Sequence, residues 1–217
     1  MGAIARSIAN NITTSGVFTS SAIANSSVTG ITVLANASDG ITLISSQTAS
    51  SSASISFTSG LTSTYKAYKF VFVNIHPSIN EHFFFNLSTD GGSNYNVTKT
   101  TTAFSTNHRE NDTEASLDYL TASDLAQSTA DQRFTIGGGI NTGNADSLSG
   151  SLLLFNPSST TYVKHFMSNT NHRHNSDYTI NAYMAGYGNT TSAINAIIFR
   201  FPTANIDEGK IYLYGIK

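Results

Sequence analysis

The chain has 217 residues with a formal net charge of -2, and only 11% of its residues are charged, against about 25% in a typical soluble domain. Lys and Arg are scattered singly, which excludes the basic stripe that nucleic-acid binding needs. The absence of cysteine excludes disulfides and thiolate metal sites. Ser, Thr and Asn replace the missing charge and disfavour long helices, because their side chains compete for backbone hydrogen bonds.

The beginning of the chain gives no sign of membrane targeting. The first residues, MGAIARSIAN, lack the long apolar segment of a secretory signal. Myristoylation would need Ser or Thr where Arg6 stands. No apolar run approaches the roughly 20 residues that span a bilayer. We therefore expect no membrane insertion.

Residues 1–46 form the first predicted unit, an arm for attachment and oligomerisation. Aromatic residues are almost absent there, and isolated Ile, Val and Leu are set among small polar residues, so the segment is too poor in apolar surface to fold alone. The spacing of Ile4, Ile8 and Ile12 suits one side of a short helix, whereas ITVL at 31–34 and ITLIS at 41–45 suit strands. The arm can be helical or extended, wound with copies of itself or held by a partner; the alternative is a flexible tail.

Residues 47–217 are predicted to form an all-β, antiparallel β-sandwich or jelly-roll domain. Short apolar runs alternate with turn signals such as Thr89-Asp90-Gly91-Gly92, with no helical period between them. The segment 113–130 could hold a helical turn or a long loop. The predicted strands lie near 52–58, 66–75, 82–88, 95–101, 131–136, 149–155, 161–168, 178–187, 194–201 and 210–216.

Two of these strands are apolar on both faces, at 70–75 (FVFVNI) and 197–201 (IIFRF). A strand with one wet face should alternate, so both faces should be covered. A second copy of the chain is the simplest cover, and we expect a homotrimer.

The run 151–166 (SLLLFNPSSTTYVKHF) indicates a core strand, then a turn at Pro157, then a second strand. The second strand mixes apolar and polar residues on each face. We expect it near a sheet margin or a subunit contact.

No catalytic, cofactor-binding or metal-binding residue is assigned, and no cofactor is expected. His172 and His174 could share one face of a strand and bind an ion together, but the Asn-rich surroundings favour a solvent loop. Glu110, Asp112 and Glu114, with Asp118, could supply the carboxylate pair of a glycosidase. Their crowding favours a solvated patch instead.

Two further features of the sequence concern sugars: tyrosines that could bind them and triplets that could be glycosylated. Tyrosines beside amides could stack on sugar rings, although partly buried tyrosine is ordinary in a sandwich; they are Tyr95, Tyr119, Tyr178, Tyr183 and Tyr187. The triplets Asn86-Leu87-Ser88 and Asn96-Val97-Thr98 match the glycosylation pattern. We interpret them as chance matches in a chain rich in Asn, Ser and Thr.

Several stretches together resemble a group of small β-sandwich virion proteins of marine tailed bacteriophages, usually described as structural or tail-fibre-like. The resemblance covers roughly residues 41–217, and the closing Gly-x-Ile-x-x-Tyr-Gly-Ile pattern is its most distinctive part. It implies a virion component and carries over no catalytic residue. The stretches are ISSQTASSSASISFTSGL, YKAYKFVFVNIHPS, SGSLLLFNPSSTTYVKHFMS, AGYGNTTSAINAIIFRF and DEGKIYLYGIK.

Three functions compete at this point. The first is a short trimeric tail fibre or appendage of a virion, whose N-terminal arm docks on other virion proteins while the sandwich faces the host and contacts a surface glycan. The second is a capsid decoration protein, a cement or head-fibre protein. The third is a free carbohydrate-binding module or glycanase.

Overall fold

A computed structural model of the chain describes residues 40–217. That range is built of antiparallel strands with a single 3-10 turn, Thr121–Ser123, and contains no α-helix. The predicted all-β sandwich is therefore confirmed. The strands are β1 (Ile41–Thr48), β2 (Ile55–Phe57), β3 (Ala67–Pro77), β4 (Phe84–Ser88), β5 (Lys99–Arg109), β6 (Ala115–Tyr119), β7 (Gln132–Arg133), β8 (Leu148–Phe155), β9 (Lys164–His174), β10 (Tyr178–Gly188), β11 (Ala196–Arg200) and β12 (Ile206–Ile216).

The strands form two sheets, one of eight strands in the order β1-β12-β3-β8-β9-β10-β5-β6 and one of four in the order β2-β11-β4-β7. Four pairs are nested along the chain: β1 with β12, β2 with β11, β3 with β8, and β4 with β7. A long antiparallel hairpin rolled up in this way, with successive strands passed between the two sheets, is a jelly roll.

Two hairpins are inserted into this eight-strand plan. The first, β5–β6, follows β4, and the second, β9–β10, follows β8. Both join the same edge of the larger sheet, where β10 pairs with β9 on one side and with β5 on the other. The larger sheet is therefore twice as wide as the smaller one.

The core lies between the sheets and is rich in phenylalanine. Phe199 is fully buried on β11, and five phenylalanine rings have centroids 5.2–6.2 Å from its own. Aromatic rings at these separations, some edge-to-face and some stacked, stabilise a core beyond the area that they bury. The five are Phe57, Phe70, Phe72, Phe83 and Phe134.

The second apolar strand, β11, hides both of its faces within the single chain. Ile197 and Phe199 point into the core, and Ile198 on the opposite side is still only 7% exposed. The expectation that β11 needs a second copy as cover was wrong. On β3 the outward-facing Val73 remains 40% exposed, so for the larger sheet that expectation stays a prediction.

Two other local expectations also need correction. The strand after Pro157 is β9, which lies inside the larger sheet between β8 and β10 rather than at a margin. The open segment 113–130 contains β6, which pairs with β5, followed by the 3-10 turn. The predicted strand at 41–45 is part of β1. The rest of the predicted arm, residues 1–39, lies outside the described residues.

No helix within residues 40–217 is long and apolar enough to cross a membrane.

Candidate interaction surface

One face of the eight-stranded sheet packs on the core, and the opposite face points away from the smaller sheet. We call the latter the outer face. Because cross-strand partners share a face, the register defines its composition row by row. One row runs Leu43, Tyr214, Lys69, Leu153, Met167, Ala185 and Thr102. The next row includes Ser151, Asn169, Tyr183, Phe104 and Tyr119.

Large apolar side chains on the outer face are open to solvent. Leu117 is 69% exposed, Tyr119 is 59% exposed and Met167 is 56% exposed. Ile41 and Leu43, on β1 at the opposite edge of the sheet, are also more than half exposed. Several large apolar side chains exposed on one face of a sheet indicate an interaction surface in soluble proteins.

A shallow groove of about 520 Å³ lies on the outer face where the side chains are smallest. Ala185 and Gly186 form its floor, and Met167, Phe155 and Tyr187 are among its walls. The glycine is needed there because a Cβ atom at residue 186 would lie 2.5 Å from the Thr100 carbonyl oxygen. The groove is almost entirely apolar, which suits a hydrophobic side chain from a partner.

An aromatic pair stands beside the groove. The rings of Phe104 and Tyr183 lie nearly parallel, 16° apart, with centroids separated by 5.0 Å. Asn169 is the cross-strand partner of Tyr183, and Tyr119 is the partner of Phe104. Flat aromatic surface with amide neighbours can contact either a protein or a sugar ring.

His172 and His174, the metal candidates, lie at the end of β9 rather than in a loop. His172 is fully buried with Ile180 and Leu148 as its cross-strand partners, and neither ring nitrogen makes a hydrogen bond. The pKa of His172 is lowered to about 4, chiefly by burial and also by the nearby His174 and His82. Across residues 40–217, no three His, Cys, Asp or Glu side chains are grouped so that they could hold a metal ion.

The acidic residues gather around the β5–β6 hairpin, each with a partner of its own. Asp112 bonds His108 at 3.0 Å, Glu114 bonds Arg109 at 3.4 Å, and Glu110 bonds Arg173 at 3.1 Å. The three carboxylates are exposed. Asp118 accepts a hydrogen bond from Ser116. Exposed carboxylates engaged in this way resemble a solvated turn, as the alternative interpretation expected.

The five candidate tyrosines are separated by the fold. Tyr119, Tyr183 and Tyr187 lie on the outer face, with Tyr187 beside His165 at 6.1 Å between ring centroids. Tyr178 lies at the end of β10, where its hydroxyl donates to Glu114 and the Arg109 guanidinium lies 5.0 Å from its ring. Tyr95 lies in the loop before β5. The sequence alone does not show that the first three share a face, because Tyr119 lies on β6 whereas Tyr183 and Tyr187 lie on β10.

Sequence analysis missed two lysines that are fully buried, Lys99 and Lys164. It also treated Asn86 only as a chance glycosylation match, whereas Asn86 is 1% exposed on β4 and inaccessible to a glycosyltransferase. Asn86 lies in an apolar run, FFFNLS, which is a signal that could have indicated its burial. Lys99 lies between two threonines, and its neighbours give no such signal.

Comparison with known proteins found no matching family model, no matching curated protein and no matching solved structure.

Proposed function

We propose that this protein is a structural component of a bacteriophage virion, a short homotrimeric tail fibre or appendage. The observation that carries the proposal is the outer face: Leu117, Tyr119 and Met167 lie open to water on a jelly roll whose core is otherwise closed. Association would remove this surface from solvent. The resemblance of residues 41–217 to tail-fibre-like proteins supplies the virion context, and jelly rolls are common in viral shells.

The low charge of the outer face supports association with a second copy. Lys69 on β3 and Lys210 on β12 lie on this face, and the Lys210 ammonium lies over the Tyr212 ring at 4.9 Å. Arg173 lies at the end of β9 and is paired with carboxylates. Few charges would have to be desolvated when copies meet. A specific interface buries roughly 1,200 to 2,000 Å² in total, and burial contributes about 25 cal/mol per Å² before the costs of association.

The outer face can be tested by introducing charged side chains. A Leu117→Glu, Met167→Glu double variant should be monomeric by sedimentation velocity while the natural chain is trimeric, because four or more carboxylates cannot be buried together. Tyr162→Glu is the matched control, since Tyr162 is 71% exposed and lies in the β8–β9 loop. A double variant that associates like the natural chain would show that the outer face is not the interface.

Virion location is tested separately, by immunogold labelling of particles and counting of copies. A tail appendage predicts tens of copies at the tail, whereas a decoration protein predicts hundreds over the shell. Absence from particles would contradict the proposal.

A carbohydrate-binding module is the second candidate, favoured by the Phe104–Tyr183 pair with Asn169 beside it. A glycan stacked on this pair would be lost in a Phe104→Ala, Tyr183→Ala variant. Binding of the natural chain to a glycan array, abolished in that variant, would favour this function. Binding to a glycan array by a chain that does not trimerise would favour a carbohydrate-binding module over a tail fibre.

A further inference from the structure

A buried lysine, Lys99 at the start of β5, contacts a buried asparagine, Asn86 in β4. The Lys99 Nζ atom lies 2.6 Å from Oδ1 of Asn86 and 2.7 Å from the carbonyl oxygen of Val97. The Asn86 amide nitrogen donates at 2.8 Å to a carboxylate oxygen of Asp131 and at 3.0 Å to the Thr129 carbonyl oxygen. The Asn86 carboxamide thus lies between the Lys99 amine and the Asp131 carboxylate.

The site is closed to water. Lys99 is 0% exposed, Asn86 is 1% exposed, and the Asp131 side chain is 13% exposed. Burial lowers the pKa of Lys99 to about 8, although the Asp131 carboxylate opposes this. A meaningful fraction of the side chain is therefore the free amine, which is the nucleophilic form, near neutral pH.

Lys164 is a second buried lysine, and its surroundings differ from those of Lys99. Its ammonium also lies in a fully buried side chain, but it donates to three backbone carbonyl oxygens, those of Tyr162, Thr190 and Thr191. No carboxamide touches it. Lys99 differs in that its nearest acceptor belongs to a side-chain amide.

We propose that Lys99 and Asn86 are joined by an intramolecular isopeptide bond, formed after folding with Asp131 as the proton-transfer group. The free-amine form of Lys99 attacks Cγ of Asn86. The Nζ–Cγ bond forms and the Cγ–Nδ2 bond breaks, while the attacking nitrogen loses one proton and Nδ2 gains one through the Asp131 carboxylate that it touches. The Asn86 nitrogen leaves as ammonia, so atoms and charge balance without any oxidant or cofactor.

The surrounding groups suit each step. The Leu87 backbone N–H donates at 2.8 Å to the Asn86 Oδ1, the atom on which negative charge develops during attack. Arg200 holds Asp131 through two contacts, at 2.7 Å and 3.1 Å, which fixes the carboxylate beside the Asn86 amide nitrogen. Fixed neighbours in a dry site replace a bimolecular encounter by a positioned reaction. The product also removes an ammonium from the core, where it is costly to keep.

The bond would attach the β5–β6 insertion to the body of the jelly roll. Asn86 lies in β4, in the smaller sheet, and Lys99 begins β5, in the larger sheet. In a chain without cysteine, an amide cross-link is a covalent constraint that does not depend on the redox state. The inference concerns the chemistry of the fold and does not depend on the proposed virion role.

The test is the mass of the full-length natural chain under denaturing conditions, followed by trypsin digestion. The bond predicts a mass lower by one ammonia and resistance to trypsin at Lys99. Residues 70–109 then appear as one peptide, lighter by one ammonia, in place of the separate peptides 70–99 and 100–109. Cleavage after Lys164 in the same digest is the internal control. Fragmentation should show no cleavage products between residues 86 and 99.

Variants separate the bond from its alternatives. Lys99→Met and Asp131→Asn should both show the mass calculated without loss of ammonia. In Asp131→Asn the bond should form at least roughly 100-fold more slowly than in the natural chain, if it forms at all. Circular dichroism checks that Asp131→Asn is folded. A natural chain of full mass that is cleaved normally at Lys99 would overturn the proposal. Loss of ammonia with normal cleavage at Lys99 would also overturn it, since that indicates a succinimide at an asparagine.

Discussion

Protonation of the buried His172 should make the protein lose stability as the pH falls. Its pKa is 6.5 in the unfolded chain and about 4 in the folded protein, so the unfolded state binds the proton first. Between these two values the unfolded chain holds more protons, and stability falls with decreasing pH. At about 1.4 kcal/mol per pH unit, the loss reaches about 3 kcal/mol and levels off below about pH 4.

The replacement His172→Leu isolates this contribution. The ring lies between Ile180 and Leu148 and makes no hydrogen bond, so leucine fits the surroundings chemically. Burying an unpaired polar group costs about 1 to 3 kcal/mol, and the variant should be at least as stable as the natural chain at pH 7.5.

The assay is urea denaturation of both proteins at pH 7.5, 6.5, 5.5 and 4.5. The free energy of unfolding of the natural chain should fall by about 2.5 kcal/mol more than that of the variant over this range. His174, His82 and Asp146 lie near the ring and are present in both proteins, so their titration is largely common to both. Parallel curves for the two proteins would refute the reasoning.

Two further predictions concern the core and a turn. Phe199→Ala should lower the free energy of unfolding by about 3 to 5 kcal/mol, because it leaves a cavity among five rings, whereas Tyr162→Ala should change it by less than about 0.5 kcal/mol; equal effects in urea denaturation would contradict the core assignment. Gly209→Ala should destabilise by about 2 kcal/mol or more, because residue 209 has φ +120° and a Cβ would lie 2.6 Å from the Asn74 carbonyl oxygen. Gly40→Ala, with open space around it, should be nearly neutral, and similar melting temperatures for the two would contradict this account.

The strands could be predicted from sequence because alternation and turn residues act locally. Phe70 and Phe72 face inward and Val71 faces outward on β3, as the period of two requires. Strands with many polar residues are harder to predict from the sequence. The end of β9, Asn171-His172-Arg173-His174, resembles a loop in composition, yet cross-strand bonds to β10 keep it extended and bury His172.

Strand β6 was not predicted for the same reason, namely that its sequence is polar where a half-buried strand is usually apolar. Its inward-facing positions are Ser116 and Asp118, and its outward-facing Leu117 is exposed, so the usual polarity of a half-buried strand is reversed. Tertiary pairing with β5 outweighs the local preference. Hydrophobic pattern alone gives no reason to place such a segment in a sheet.

The proposed site of Asn86, Lys99 and Asp131 could not be predicted, because Asp131 is distant from the other two in the sequence. Asn86 and Lys99 are separated by a turn, and Asp131 follows β6 and its loop. Jelly-roll nesting brings β4 next to β7, which places Asp131 beside Asn86. A sequence pattern records residue types, whereas this arrangement depends on how strands are paired.

The central claim is that copies of this chain shield one another's outer faces. Sedimentation equilibrium of the full-length protein at micromolar concentration tests it most directly. We expect a species of three times the mass of one chain that persists on dilution. A stable single chain at that concentration would contradict the claim and the fibre assignment that depends on it.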